Sequence, residues 1–516
     1  LPRVKKFEKK YNQEKIDKYI QSIEAELEEL DYNDPKDKRK IVSREQKISN
    51  IKAGIFTTKK EQELIRPINL GSSVDLPALM YSEEGFHFEV IKNNESGKPS
   101  TDEETLTNLR LTVKKPDSPK AIFLDRLLEL RGLEKMYKTY IEGWNEKVQD
   151  DDRLHGRFLI HGTTSGRLSS AEPNAQQIPK TSVDPNIKLQ LKAPKGTLYI
   201  ASDFSQAELR IMAHLSGDET YLNAFNSGQD PHLAIAATKY HIPYEEALKI
   251  YEDENHPEHK IWKVRRKQAK QIAFGLIYGI GAKLLAVKLS DPKSGIIVTP
   301  EEAQKEMDIF FGQHPKLKTF LKKQEKFLRK NGHLVSLFGR KRRLPQIYSN
   351  DKGEEAYALR LALNFPCQSA ASDMCLFGSI LIYYLMRQGK LPSTKSVCLV
   401  HDANYQITKP ENINIWSIYE MWQIYRNPLT KPYFGFQIDD VTMDMEFVIG
   451  RSMAEELPFI PGYDYKKMLE PDFSVEEYME EHKKYKHIPI SEYKKRFNKQ
   501  MKQYEKDFER THGMES

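Results

Sequence analysis

The sequence predicts an α+β fold: a few β-strands carry acidic residues, and long helices surround them. Three observations predict it. Helical periodicity dominates the first 150 or so residues, and two strongly β-prone runs, "GTLYIASDF" (196–204) and "CLVHDANYQI" (398–407), each hold an aspartate among apolar neighbours. Long helical patterns lie between and beyond them. With 516 residues the chain is too long for one simple core, and should divide into about three or four subdomains.

In chain order, "NQEKIDKYIQSIEAELEEL" (12–30) places Ile16, Ile20, Ile23, Leu27 and Leu30 at helical spacing with a charged opposite face. The lysine-rich "DPKDKRKIVSREQK" (34–47) is expected to be a solvated linker. "KNNESGKPSTDEETLTNL" (92–109) is a polar turn leading into a helix, with Ser100 or Thr101 as N-cap and acids in the first turn. A further helix follows at "AIFLDRLLELRGLEKMYKTYIEGW" (121–144). After the first β-run, "AELRIMAHLSGD" (207–218) turns helical, and "KVRRKQAKQIAFGLIYG" (263–279) is a long helix stopped by Gly279. "EEAYALRLALNFPCQSAASDMCLFGSILIYYLM" (354–386) is a long helix with a kink expected at Pro366. Then come the strand holding His401 and Asp402, a second acid-bearing strand in "DVTMDMEFVIG" (440–450), and a Lys- and Tyr-rich helical tail from about Tyr463. There is no internal repeat.

Charged residues make up 30% of the chain, with a net charge of +6 and a pI near 8.7. That modest excess suits a phosphate-backbone partner without requiring one. Cys367, Cys375 and Cys398 have no paired ligand spacing, which argues against a disulfide framework or a structural zinc and for a reducing compartment. No apolar run is expected to approach the ~20 residues of a membrane span, and "LPRVKKFEKK" has no signal-peptide core. The first residue is not Met, so the chain is expected to be trimmed or processed.

Three apparent motifs fail on their context. "GTTSGRLS" (162–169) has the wrong glycine spacing for a phosphate-cradling P-loop, and Arg167 stands in place of its lysine. "GLIYGIGAK" (275–283) follows a helix rather than a strand, so it is no dinucleotide fingerprint. "HPEH" (256–259) lies in a polar stretch and is expected to be a solvated loop rather than a metal site.

The aspartates carry more weight, because a lone carboxylate in a hydrophobic strand is costly without a partner or a metal. If their strands are neighbours, Asp203 and Asp402 converge on a hard-oxygen site suited to Mg²⁺, and a pair of such ions about 4 Å apart serves phosphoryl transfer. Two unrelated capping aspartates are the other reading. Arg266, Lys270, Phe274 and Tyr278 step by four along one helical face: two cations and then two aromatics. Such a face suits a triphosphate at one end and a sugar and base at the other. Arg360, Asn364 and Gln368 form a second ladder, whose donors match the nearly sequence-independent acceptors of a minor groove.

On these residues the chain resembles the polymerase portion of a family A DNA polymerase of the bacterial DNA polymerase I and phage type, from about Asn69 to Glu455. "DFSQAELRIMAHLSGD" resembles motif A, "RKQAKQIAFGLIYG" motif B and "LVHDA" motif C; "TTSGRLSSAEPNAQQIP" and "LFGRKRRLPQI" match stretches before motif A and after the fingers. The resemblance implies a right-hand fold, with an antiparallel palm sheet and helical fingers and thumb. It divides the chain into a palm-proximal segment (1–19), thumb (20–150), palm (151–215), fingers (216–345), palm (346–456) and a C-terminal helical extension (457–516).

The activity implied is DNA-templated addition of dNTPs to a primer 3′ end, in replication or repair, with two Mg²⁺ ions for which Mn²⁺ can substitute. Asp203 and Asp402 would hold the ions, helped by the Phe204 carbonyl. Arg266 and Lys270 would grip the triphosphate, with Lys270 protonating the pyrophosphate and His232 adding a phosphate contact. Gln206 would also line the dNTP site. Phe274 would pack on the deoxyribose, Tyr278 would fill the template position until the fingers close, and Glu208 would be the steric gate bonded to Tyr278. Arg167, Asn174, Arg360, Asn364 and Gln368 would contact DNA near the primer terminus, His401 the primer end, and Lys98, Ser100 and Thr101 duplex phosphates. The implied setting is a monomer in a bacterial or phage-infected cytoplasm, or in an organelle, with primer-template DNA and replication accessory proteins as partners and no membrane.

Three departures stand out: Ala403 where the family usually has glutamate, Ala273 where motif B often has asparagine, and about sixty residues beyond Arg451. No proofreading motif precedes the thumb, so the chain by itself is expected not to proofread. Two other readings are open. A single-subunit RNA polymerase shares the hand and both aspartates, but Glu208 opposes it. A catalytically weakened or dead protein that clamps primed DNA draws its support from Ala403.

Overall fold

The computed structural model describes residues 2–113, 115–290, 297–426 and 430–512. They fall into two compact units, one of Leu1–Thr139 and one of Tyr140–Ser290 with Val298–Ser516.

The first unit opens with a helical hairpin, α1 (Pro2–Glu28) and α2 (Pro35–Lys52). The second helix occupies the stretch expected to be a solvated linker. Its composition is polar, but Ile41, Ile48 and Ile51 share one face and bury against Ile20, Ile23 and Leu27 of α1. Each buried isoleucine contributes about 1.5–3 kcal/mol, enough to order a helix whose remaining surface is charged. Asp34 caps it by accepting from the Lys36 amide at 2.8 Å, with Pro35 in the first turn. A second core joins Leu76, Leu79 and Phe86 to α3 (Glu103–Thr112) and α4 (Pro119–Met136). Asp102, not Ser100 or Thr101, is the cap of α3, accepting from the Thr105 amide at 2.7 Å. Phe7 belongs to the same core, and α1 runs unbroken through residues 19 and 20. Residues 2–19 thus pack within this unit.

The second unit is built on a five-stranded antiparallel sheet of β1 (Leu198–Phe204), β2 (Thr394–Val400), β3 (Ala403–Thr408), β4 (Met445–Gly450) and β5 (Leu457–Pro458), in the order β2-β3-β1-β4-β5. The α+β expectation is borne out. Alternation along β1 sends Leu198, Ile200 and Phe204 into the main core with Phe447 and Ile449 of β4, and leaves Asp203 and Glu446 on the open face. Four helices matter for the site: α5 (Ala207–Ser216), α6 (Pro231–Lys239), α7 (His259–Ile277) and α8 (Lys352–Arg387). The last continues past Pro366 as one helix of 36 residues. It is long and apolar enough to cross a bilayer, but nearly every side chain from Phe365 to Cys375 is buried within the fold, as in a core helix.

One further expectation changes. His259 of "HPEH" is buried at the start of α7, so that stretch is not wholly a solvated loop. The Lys- and Tyr-rich tail is a packed cap: Tyr465, Met468, Tyr478, Tyr493 and Met501 join the main core. Its last helix, α10 (Asn498–His512), lies on α9 (Ile415–Arg426), with Phe508 and Trp416 rings 5.0 Å apart.

Candidate active site

His401 and Asp402 do not lie within a strand. Val400 pairs with Ala403, so the two residues form a tight turn between β2 and β3, and His401 takes the left-handed conformation (φ 56°) that such turns demand. The turn lifts Asp402 to the rim of the sheet. Asp203, the penultimate residue of β1, is in register with Ala403 on one side and with Glu446 of β4 on the other. Cross-strand neighbours on one face have Cβ atoms about 4.5–5.5 Å apart, so Ala403, Asp203 and Glu446 form a row beside Asp402.

This row is short of positive charge. Desolvation, followed by the charges of Asp402 and Glu446, pushes Asp203 up to about 7. Arg167 donates to Asp402 at 3.4 Å and to Glu208 at 2.7 Å, the one cation that bridges them among the described residues. Two hard-oxygen aspartates beside the backbone of Phe204 fit Mg²⁺, an ion held through one or two carboxylates while waters and substrate oxygens complete its shell. Among the described residues, no group of three carboxylate, imidazole or thiol side chains could cage an ion.

Beside the carboxylates, α7 presents its ladder. Tyr278 donates to Glu208, which sits in the first turn of α5, is 8% exposed, and is raised by burial while its bonds to Tyr278 and Arg167 act the other way. The rings of Tyr278 and Phe274 stack at 6.2 Å, and the Lys270 ammonium lies 5.8 Å from the centre of Phe274. Gly279 ends this face with φ 69°: a Cβ there would lie 3.3 Å from Arg360 Cα and 3.1 Å from the Leu363 side chain, so glycine lets α7 close on α8. His232 on α6 is 1% exposed, with its ring 5.7 Å from that of Phe274 and no hydrogen-bond partner for either nitrogen among the described residues. Burial pushes it down to about 4, so it is neutral near pH 7.

The other expected residues are placed unevenly. Gln206, left-handed at φ 58°, precedes α5 with a buried Oε1 that has no hydrogen-bond partner among the described residues. On α8, Arg360 is exposed, Gln368 half-buried, and Asn364 has a buried Oδ1 with no hydrogen-bond partner among the described residues. Asn174 Oδ1 accepts from the Gln176 amide at 3.0 Å. In the first unit Lys98 is exposed and Thr101 half-buried, whereas Ser100 is 4% exposed with its hydroxyl accepting from the Asp102 amide, which withholds it from the surface.

Sequence reasoning missed two residues. Glu446 lies in a strand recognised as acidic, but its register with Asp203 cannot be read from spacing. Asp230 could have been found as a helix cap from the "DP" pair in "QDPHLA"; its bond to Arg266 could not.

Residues 38–415 match the model of DNA polymerase family A, and this range holds Asp203, Arg266, Lys270 and Asp402. The chain belongs to that family. The thermostable DNA polymerase I of Thermus aquaticus is 32% identical over 319 residues, 61% of this chain and 35% of that one. The DNA polymerase I of Caldicellulosiruptor bescii is 32% identical over 336 residues, 65% of this chain and 36% of its own. This family A chain thus spans about a third of the length of the curated relatives it matches. A solved structure, the POL domain of Pol1 from M. smegmatis in complex with DNA primer-template and dNTP, superposes with a TM-score of 0.61 at 29% identity, covering 76% of this chain and 62% of that one.

Proposed function

We propose that the protein is a DNA-templated DNA polymerase that adds dNTPs to a primer 3′ end. The observation that carries this reading is the juxtaposition of Asp203 and Asp402 at the rim of the sheet with the Arg266–Lys270–Phe274–Tyr278 face, joined through Tyr278 and Glu208. Two divalent ions, Mg²⁺ or in its place Mn²⁺, would supply Lewis-acid stabilisation of the attacking and leaving oxygens.

The side chains do the rest. Asp203 and Asp402 would hold the ions, with the Phe204 carbonyl assisting. Lys270, exposed at the mouth of the site, binds the triphosphate with Arg266 and carries the proton that the pyrophosphate takes on leaving. Neutral His232 donates to a phosphate oxygen, and Phe274 supports the sugar. Glu208, fixed between Tyr278 and Arg167, occupies the space that a 2′-hydroxyl would need. Tyr278 holds the template position before closure. Arg167, Asn364 and Gln368 contact the minor groove, and Lys98 and Thr101 the duplex phosphates; the thumb, palm and fingers follow the sequence boundaries, with residues 1–19 added to the thumb.

A catalytically weakened DNA clamp is the second reading. Ala403 favours it, since the residue in register with Asp203 on β3 offers no side-chain oxygen ligand. Extension of a labelled primer on a DNA template, with dNTPs or rNTPs and with or without Mg²⁺, separates the two. Metal-dependent extension with dNTPs supports the polymerase; tight primer binding without extension supports the clamp.

A further inference from the structure

Asp230 makes three fixed contacts at the start of α6. Its Oδ1 accepts from the Leu233 amide at 2.8 Å, capping the helix, and its own amide donates to the Tyr244 hydroxyl at 2.9 Å. Its Oδ2 accepts from Arg266 Nη2 at 2.5 Å and Nε at 3.1 Å. Arg266, with Tyr251 5.5 Å beneath its guanidinium, is thus held by one edge, and no partner for Nη1 is found among the described residues. His232 lies two residues beyond the cap, so the same loop-to-helix junction orders both groups.

An aspartate on a triphosphate-binding arginine could be a competitor that leaves when nucleotide arrives. The cap argues otherwise, because withdrawing the carboxylate would also open the first turn of α6. We propose that Asp230 is a positioning residue that locks the Nε–Nη2 edge of Arg266 and aims its free Nη1 at the nucleotide triphosphate beside Lys270. The inference rests on the polymerase reading above. A guanidinium ordered in advance loses less freedom when it forms its bond to phosphate, so the effect should appear in nucleotide affinity.

The test uses the full chain with primer-template DNA, dNTPs and Mg²⁺. Asp230→Asn keeps a capping oxygen and removes the charge that holds Arg266. It should raise KM for dNTP roughly tenfold, with kcat within about twofold and an unchanged melting temperature. Asp230→Ser, which caps but has no second oxygen, should behave alike. In an Arg266→Ala background neither change should add to KM, since the two residues act as one unit. A lower KM in Asp230→Asn would make Asp230 a competitor and overturn the proposal. So would unchanged kinetics, or a parallel loss of kcat and melting temperature. If Arg266→Ala itself left KM unaltered, the polymerase reading of Arg266 would fail, which is a separate outcome.

Discussion

Tyr278 donates its hydroxyl to one oxygen of Glu208 while Arg167 donates to the other at 2.7 Å. The end of α7, the start of α5 and the turn that joins the paired strands Arg157–Leu159 and Ser169–Ala171 are thereby tied at one carboxylate, within reach of Asp402. A side chain so fixed cannot swing away from an added hydroxyl. Glu208→Ala is expected to raise ribonucleotide use relative to deoxyribonucleotide at least tenfold, about 1.4 kcal/mol of discrimination. The ratio of kcat/KM for matched rNTP and dNTP measures it; an unchanged ratio places the gate elsewhere.

Asp203 and Asp402 are expected to be indispensable for nucleotide addition and dispensable for DNA binding. Asp203→Asn and Asp402→Asn should each abolish extension while primer-template affinity stays within a few-fold, measured by anisotropy. Retained extension in either variant would remove that carboxylate from the metal site.

Ala403 tests whether the site is complete as it stands. It is 8% exposed, and Asp203 beside it already faces Glu446 on the other flank. Ala403→Glu is expected to change the extension rate only modestly. A hundredfold gain, about 2.7 kcal/mol of barrier, would show the native chain to be a crippled enzyme and favour the clamp.

The tail should act through packing. Tyr478 is fully buried and donates to the Pro458 carbonyl at 2.7 Å, so Tyr478→Ala should cost about 3–5 kcal/mol, read from chemical unfolding. The slope of log K against log salt for DNA binding should not move. A flattened slope with undiminished stability would instead assign this region to DNA.

Glu61 supplies a pH dependence in the first unit. Bonds from the Thr57 and Thr58 amides, the Thr57 hydroxyl and Lys47 hold its carboxylate down at about 2 against burial, compared with 4.5 ordinarily. A depressed acid stabilises the fold fully above its unfolded pKa, and that contribution fades as pH falls from about 4.5 toward 2. Glu61→Gln should therefore be less stable at pH 7 by on the order of 2 kcal/mol, with the gap narrowing below pH 4.5. Amide exchange at Ile48 and Ile51 reports it; a gap independent of pH would assign the loss to shape alone.

The sequence by itself determined whatever depends on short spacing. The step of four in α7 put Arg266, Lys270, Phe274 and Tyr278 on one face, and the β-prone runs marked Asp203 and Asp402 as anomalous acids. The helices with clear apolar stripes were legible for the same reason, since backbone geometry alone sets a period of 3.6. The Lys-rich α2 was not, because its three isoleucines are sparse and gain their energy only from a partner helix. Position along a strand also misled: Asp402 looked internal to one run until the pairing of Val400 with Ala403 made it a turn. Only tertiary structure decided that Glu446 is in register with Asp203, that Tyr278 and Arg167 share Glu208, and that Asp230 holds Arg266. These pairs lie 36 to 243 positions apart in sequence. Their contact energy depends on sheet register and helix packing, which no local pattern of residues encodes.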